Sequence, residues 1–216
     1  MNAALLLIDL QNDFCPGGAL AVAEGDQVIA IANQAIDACL SKKIPIIASQ
    51  DWHPAGHRSF AINSNAESGT VGELDGLPQV WWPVHCVQNE PGAALHPQLK
   101  QHAINATFRK GQDPDIDSYS AFFDNGRRAK TPLDEWLRQQ GIDRLFIMGL
   151  ATDYCVKYSV LDALALGYQT TVISDGCRGV NLQPHDSQHA LNTMHKAGAS
   201  LQTLAQWLAE MDSASK

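Results

Sequence analysis

"AALLLIDL", residues 3–10, decides the fold. A strand with one face in water alternates apolar and polar side chains, whereas this run is apolar except for Asp9, as in a strand buried on both faces of a parallel sheet. "GDQVIAIANQAIDACLSKK" (25–43) then places Val28, Ile31, Ala32, Ala35 and Cys39 at helical spacing, and "IPIIASQD" (44–51) is a second apolar run. The order is strand, helix, strand. Outward from there the pattern recurs: strand "INATFRKG" (104–111), helix "TPLDEWLRQQ" (131–140), strand "RLFIMGL" (144–150), and a helix from about Cys155 to Leu166. Strand "YQTTVISD" (168–175), a helix from about Pro184 to Ala197, and "ASLQTLAQWLAEM" (199–211), a short strand running into a closing helix, complete it. Six strands with helical crossovers predict an α/β fold with a doubly wound, mostly parallel sheet.

At 216 residues the chain suits one domain, with 1–211 as the folded unit and 212–216 as a frayed C-terminus. Residues 54–103 break the rhythm with about fifty positions rich in Gly, Pro, Asn and His; loops that long in a compact domain are usually functional or disordered. The adjacent Trp81 and Trp82 favour function. A net charge of −8 argues against a nucleic-acid surface, which needs clustered Lys and Arg. Five cysteines, at 15, 39, 86, 155 and 177, lack both a disulfide framework and a CxxC pair and read as free thiols. "MNAALLLIDLQNDF" has no basic stretch and meets Asp9 too early for a secretory segment, and no later run is long enough to span a membrane. A soluble, cytoplasmic protein acting on small molecules is expected.

In an open parallel sheet, ligands bind beyond the carboxyl ends of the strands. Asp9 falls late in the first strand, Asp51 and His53 follow the second, Lys110 the third, and "ATDYC" (151–155) the fourth. Singly, each has an ordinary reading: a turn cap, a solvated lysine, a buried small thiol. Together they are harder to dismiss, because Asp9 inside an apolar run is costly to bury without a cation, and Lys110 is a candidate at the same edge. A thiol at a helix start is expected to have a lowered pKa, and the same turn offers N–H groups to an oxyanion. Cys155 can thus act as a nucleophile with Asp9 as base and Lys110 as its orienting partner.

"DWHPAGHRSF" (51–60) and "WWPVHC" (81–86) form a second constellation. In an extended segment Asp51 and His53 face the same way and can present an oxygen and a nitrogen to one ion, with His85 completing a three-ligand face. Two His and one carboxylate suit Zn, Mn or Fe. His57 has three open roles: fourth ligand, donor to a bound water, or loop histidine. "DLQNDFCPGG" after the first strand does not match the dinucleotide fingerprint GxGxxG.

"DLQNDF", "DWHPAGH", "WPVHC", "FRKG" and "GLATDYC", in this order, resemble the nicotinamidase (pyrazinamidase) group of the isochorismatase-like cysteine hydrolases, over a span from Asp9 to about Cys177. The resemblance implies a three-layer sandwich with helices on both faces of the six-stranded sheet and deamidation of nicotinamide to nicotinate and ammonia, with pyrazinamide as a second substrate. It further implies a triad of Asp9, Lys110 and Cys155 and one divalent ion (Zn, Fe or Mn) on Asp51, His53 and His85. An aromatic clamp of Phe14 and Trp82, Tyr119 as a pocket wall, a cis peptide at Leu150 to Ala151, and the Ala151 and Cys155 amides around the oxyanion are implied too. In that reading the ion binds the pyridine nitrogen, the place of action is pyridine nucleotide salvage, and self-association is left open. Rival readings are an aliphatic amide or ureido hydrolase with the same triad, a metallohydrolase in which Cys155 is incidental, and a non-catalytic binding protein.

Overall fold

The computed structural model describes residues 2–214. Six strands form one sheet: β1 (Ala3–Ile8), β2 (Ile46–Asp51), β5 (Ala106–Lys110), β6 (Arg144–Leu150), β7 (Gln169–Arg178) and β8 (Ser200–Gln202), ordered β5-β2-β1-β6-β7-β8. Every neighbouring pair in it is parallel. The helices are α1 (Gln27–Ser41), α2 (Leu133–Gln139), α3 (Lys157–Ala165), α4 (Asp186–Lys196) and α5 (Leu204–Ser213). All six residues of β1 are buried, which requires cover on both faces of the sheet. α1 packs on β1, β6 and β7 beside α5, while α3 packs on β7 and against α4.

The buried stripe of α1 is Val28, Ile29, Ala32, Ala35, Ile36 and Cys39. Ile31, expected in that stripe, is only half-buried, and Ile29 and Ile36 take the core positions because the i, i+3, i+4 rows centre one residue earlier. The helix expected from about Cys155 begins at Lys157, and Cys155 lies in a single π-helical turn, Thr152–Val156, that leads into it. The closing helix runs through Ser213, so it reaches into the 212–216 stretch expected to fray, of which 215 and 216 fall outside the described residues.

Residues 54–103 contain a two-stranded antiparallel hairpin, β3 (Val71–Leu74) and β4 (Leu77–Val80), that periodicity does not reveal. Its turn is Asp75-Gly76, with φ of 49° and 81°, the two-residue turn whose left-handed positions favour an Asp-Gly pair. That dipeptide in "ELDGLPQV" was the available signal.

The strand order reverses direction between β1 and β6: from β1 the chain proceeds to β2 and β5 on one side, then to β6, β7 and β8 on the other. A crevice therefore opens where β1 and β6 end, at Asp9 and Ala151. Close approach of these strands needs Gly149, at φ 135°, because a Cβ there would lie 2.2 Å from the Ile8 carbonyl oxygen.

Candidate active site

Register puts the charged residues side by side. Asp51 and Lys110 are direct partners in the β2–β5 pairing, and Ile8 pairs with Ser49, which brings Asp9 over β2. Asp9 leaves β1 in the left-handed region, at φ 50°. Its Oδ1 accepts from Ser49 Oγ at 2.7 Å and its Oδ2 lies 2.9 Å from Lys110 Nζ. Lys110 also donates to Asp51 Oδ1 at 2.5 Å, the Ser118 carbonyl at 3.0 Å and Cys155 Sγ at 3.3 Å. One buried ammonium thus touches both carboxylates and the thiol, a link between the two constellations that spacing alone did not reveal.

The "DLQNDF" stretch braces this arrangement. Gln11 clasps the Asp51 backbone, donating from Nε2 to its carbonyl at 2.8 Å and accepting its N–H at Oε1 at 2.9 Å. Asp13 Oδ2 accepts the Cys86 N–H at 2.7 Å, pinning the residue after His85. His53 adds paired backbone bonds to the same segment, its N–H donating to the Cys86 carbonyl and its carbonyl accepting from Gln88. The two histidines, 32 positions apart in the chain, are held adjacent with ring centroids 5.0 Å apart.

Both rings are oriented by backbone. His53 Nδ1 donates to the Gly111 carbonyl and His85 Nδ1 to the Pro83 carbonyl, each at 2.8 Å, which leaves both Nε2 atoms as lone-pair donors. Gly111 is required here: at φ 70°, a Cβ would sit 2.4 Å from His53 Cε1. Each Nε2 lies 3.6 Å from Asp51 Oδ2, too far for a hydrogen bond, and His53 Nε2 is buried without any hydrogen-bond partner. Three inward-facing donors around one point, one of them unpartnered, fit a divalent cation with N/O preference. Charge agrees: the buried carboxylates Asp9 and Asp51 share one buried ammonium, Lys110, and the buried Asp117 is paired with none. His57 is differently placed. Its Nε2 donates to the Ile116 carbonyl at 3.1 Å and its Nδ1 accepts from Ser59 Oγ at 2.7 Å, so neither nitrogen offers a free lone pair. Its ring lies 4.3 Å from the His53 ring at a tilt of 53°, and burial with His53 beside it pulls its pKa down to about 4.

Burial works against the charge on Asp51, but Lys110 and His53 outweigh it and hold that carboxyl well below the usual range. Burial raises Asp9 despite the opposing pull of Lys110. Burial also works against the Lys110 ammonium, but Asp51 and Asp9 hold its pKa well above the ordinary value. Cys155 contradicts the sequence expectation: its pKa lies well above the ordinary thiol value, because burial and the nearby Asp9 and Asp51 charges outweigh Lys110 and the helix start. The resting group is a thiol, and a base must act on it.

Cys155, Asp51, His85, Phe14, Trp82 and Asp117 line one small cavity of about 30 Å³, with Tyr119 and Ala151 also on its wall. The Tyr119 hydroxyl accepts from Trp82 Nε1 at 3.3 Å, and the Leu150–Ala151 peptide is cis. A much larger surface depression, about 900 Å³ beside Trp52 and Arg109, contains none of these groups; Cys155, Asp51 and His85 line the small cavity instead. Asp117 was not singled out from sequence, where it is one of several acids in "GQDPDIDSYS" (111–120).

An isochorismatase domain matches residues 3–206. The chain belongs to the isochorismatase family. Within that family it is 65% identical to a nicotinamidase of Escherichia coli (strain K12) over 94% of this chain and 96% of that protein. A structure of the Acinetobacter baumanii nicotinamidase/pyrazinamidase superposes with a TM-score of 0.89 at 38% identity, covering 94% of this chain and 97% of that one. A Pyrococcus horikoshii pyrazinamidase in complex with zinc gives 0.78 at 36% identity, covering 94% and 99%. Among the described residues no helix is long and apolar enough to cross a membrane.

Proposed function

We propose that this chain hydrolyses nicotinamide to nicotinate and ammonia, and pyrazinamide likewise, through a thioester on Cys155. The observation that carries the reading is Lys110, which joins the thiol and its carboxylate to Asp51 of the histidine cluster beside one cavity that Cys155, Asp51, Phe14 and Trp82 line. The 65% identical nicotinamidase supports the substrate. In pyrazinamide the ring nitrogen opposite the first has the same relation to the carboxamide as the pyridine nitrogen of nicotinamide, so both present the same two ends to the site.

Phe14 and Trp82 hold the ring and direct the carboxamide carbon at Cys155 Sγ. Asp9 takes the thiol proton as sulfur bonds to that carbon, and burial, which raises the Asp9 pKa, favours its holding that proton. The oxyanion forms against the Ala151 and Cys155 amides. As the C–N bond breaks, Asp9 returns the proton to the departing nitrogen, releasing ammonia. Water then attacks the thioester while Asp9 takes its proton, the C–S bond breaks, and Asp9 hands that proton to the departing sulfur, which restores the Cys155 thiol and the Asp9 carboxylate. Lys110 keeps Asp9 oriented throughout and offsets its charge. Asp51, His53 and His85 would hold one divalent ion, and the Pyrococcus horikoshii relative in complex with zinc supports that assignment. When bound, the ion supplies a Lewis acid for the ring nitrogen and balances the surplus negative charge. A cavity of about 30 Å³ is far below the roughly 300 Å³ of open ligand clefts, so the aromatic walls must shift to admit a ring.

The test is ammonia release from nicotinamide and, in parallel, from an aliphatic amide and a ureido compound, before and after chelation and zinc replacement. Zinc-dependent release from nicotinamide alone is expected. Release only from an aliphatic compound would retain Cys155 as nucleophile and discard the ring site, and release from none would put a binding protein in its place.

A further inference from the structure

Asp117 is buried, lines the cavity with Asp51, His85 and Cys155, and has no part in the steps above. Its Oδ1 accepts the Ser118 N–H and its Oδ2 accepts Gln79 Nε2 from β4, both at 2.8 Å. Both donors are neutral. No Lys, Arg or His among the described residues lies within ion-pair distance of Asp117, and the one buried ammonium nearby is already shared by Asp9 and Asp51. A buried carboxylate without a cation is expensive, so its persistence at this spot calls for a positive charge.

The neighbourhood indicates where that charge sits. A carboxylate oxygen of Asp117, a ring nitrogen of His53 and one of His57 all lie within 4.8 Å of one another. His53 Nε2 is buried here without a hydrogen-bond partner. The segment carrying Asp117 wraps the site as well: the Ile116 carbonyl holds His57 and the Ser118 carbonyl holds Lys110. Since both Asp117 oxygens already accept hydrogen bonds, the carboxylate suits a place behind the ligands better than one among them.

We infer that Asp117 is a positioning residue for the divalent ion, a carboxylate that draws the cation from beyond Asp51, His53 and His85 and accepts from water on its open side, with Gln79 of the hairpin fixing its aim. The inference rests on the ion site proposed above. It gives the β3–β4 hairpin a function: by ordering Gln79 it preserves the charge that sets ion affinity.

The role makes opposite demands on the metal-free and loaded protein, which separates it from a merely structural one. Asp117→Asn keeps the shape and the acceptor for Ser118 but removes the charge. Wild type and variant, stripped by chelation, are titrated with zinc against a chromophoric chelator and melted in metal-free form. The expected result is zinc affinity weaker by about 10- to 100-fold, with a metal-free melting temperature equal to or above that of wild type. Unchanged affinity overturns the inference, as does a lowered metal-free melting temperature, which would mark Asp117 as structural. Should that variant not fold, Gln79→Leu decides, since it leaves the charge but frees its aim: zinc affinity weaker by about threefold or more is expected, and unchanged affinity overturns the proposal. Failure of the wild type to take up zinc would overturn the ion site itself, whereas equal uptake by wild type and variant would overturn only the role of Asp117.

Discussion

The two halves of the site share Lys110 but differ in what they lack. On the thiol side, Asp9 has Ser49 and the Lys110 ammonium, and Cys155 has Lys110, so the charge there is met within the chain even though Asp9 Oδ2 accepts no hydrogen bond. On the histidine side, Asp51 and Asp117 bring two negative charges, one Nε2 has no partner, and the imidazoles are held with lone pairs facing inward. The first half is arranged to move a proton. The second is arranged around a positive charge from outside the chain, and because Lys110 Nζ contacts Asp51 at 2.5 Å, whatever binds there changes the field at Cys155.

The difference can be broken by variants that strike one half and spare the other. Cys155→Ala should lower nicotinamide turnover by on the order of 10,000-fold or more while zinc content stays at the wild-type level, measured by ammonia release and metal analysis. Turnover close to wild type would remove the nucleophile. Asp9→Asn should lower kcat by about 100- to 10,000-fold, again with zinc retained; a variant keeping most of its rate would point to another base. His85→Ala attacks the other half: zinc content should fall and hydrolysis drop by about 100-fold through lost ring orientation, while Cys155 stays open to alkylation. Unchanged zinc stoichiometry would take His85 out of the ligand set.

The smallest effect concerns pH. Burial favours neutral His53, but the Asp51 carboxylate outweighs it and raises the pKa above 6.5, and an imidazole must be neutral to bind an ion. Zinc affinity should therefore be full above that raised value and weaken as pH falls through it, by about tenfold per pH unit for one competing proton. Zinc titrations from pH 5 to 8 measure this, and a flat profile would detach His53 from the ion.

The six strands, their order along the chain and the edge where the polar residues gather were legible because a buried parallel strand is an unbroken apolar run, and Asp9 interrupts the first of them. The closeness of Asp51 and His53 was legible from their extended spacing, and the grouping of Asp9, Lys110 and Cys155 from their places at the strand ends. The β3–β4 hairpin was hidden because its strands are four residues each and half-exposed, with only Asp75-Gly76 to mark them. Asp117 was hidden because burial, not residue type, distinguishes it from its acidic neighbours at 113 and 115. The thiol pKa was misjudged because a helix start is a local feature, whereas desolvation and two carboxylates arrive from other strands.

Local pattern by itself determined which segments become strands and helices and which residue types end up at the strand ends, since apolar periodicity acts over a few residues. Only the tertiary structure decided that one lysine serves two carboxylates, that His57 has no lone pair to give, and that Asp117 stands uncompensated beside His53. Those outcomes depend on parallel register and on a hairpin folded back over the site. Electrostatic energies in a buried cavity depend on distances of a few ångströms between residues tens of positions apart, which no spacing in the chain specifies.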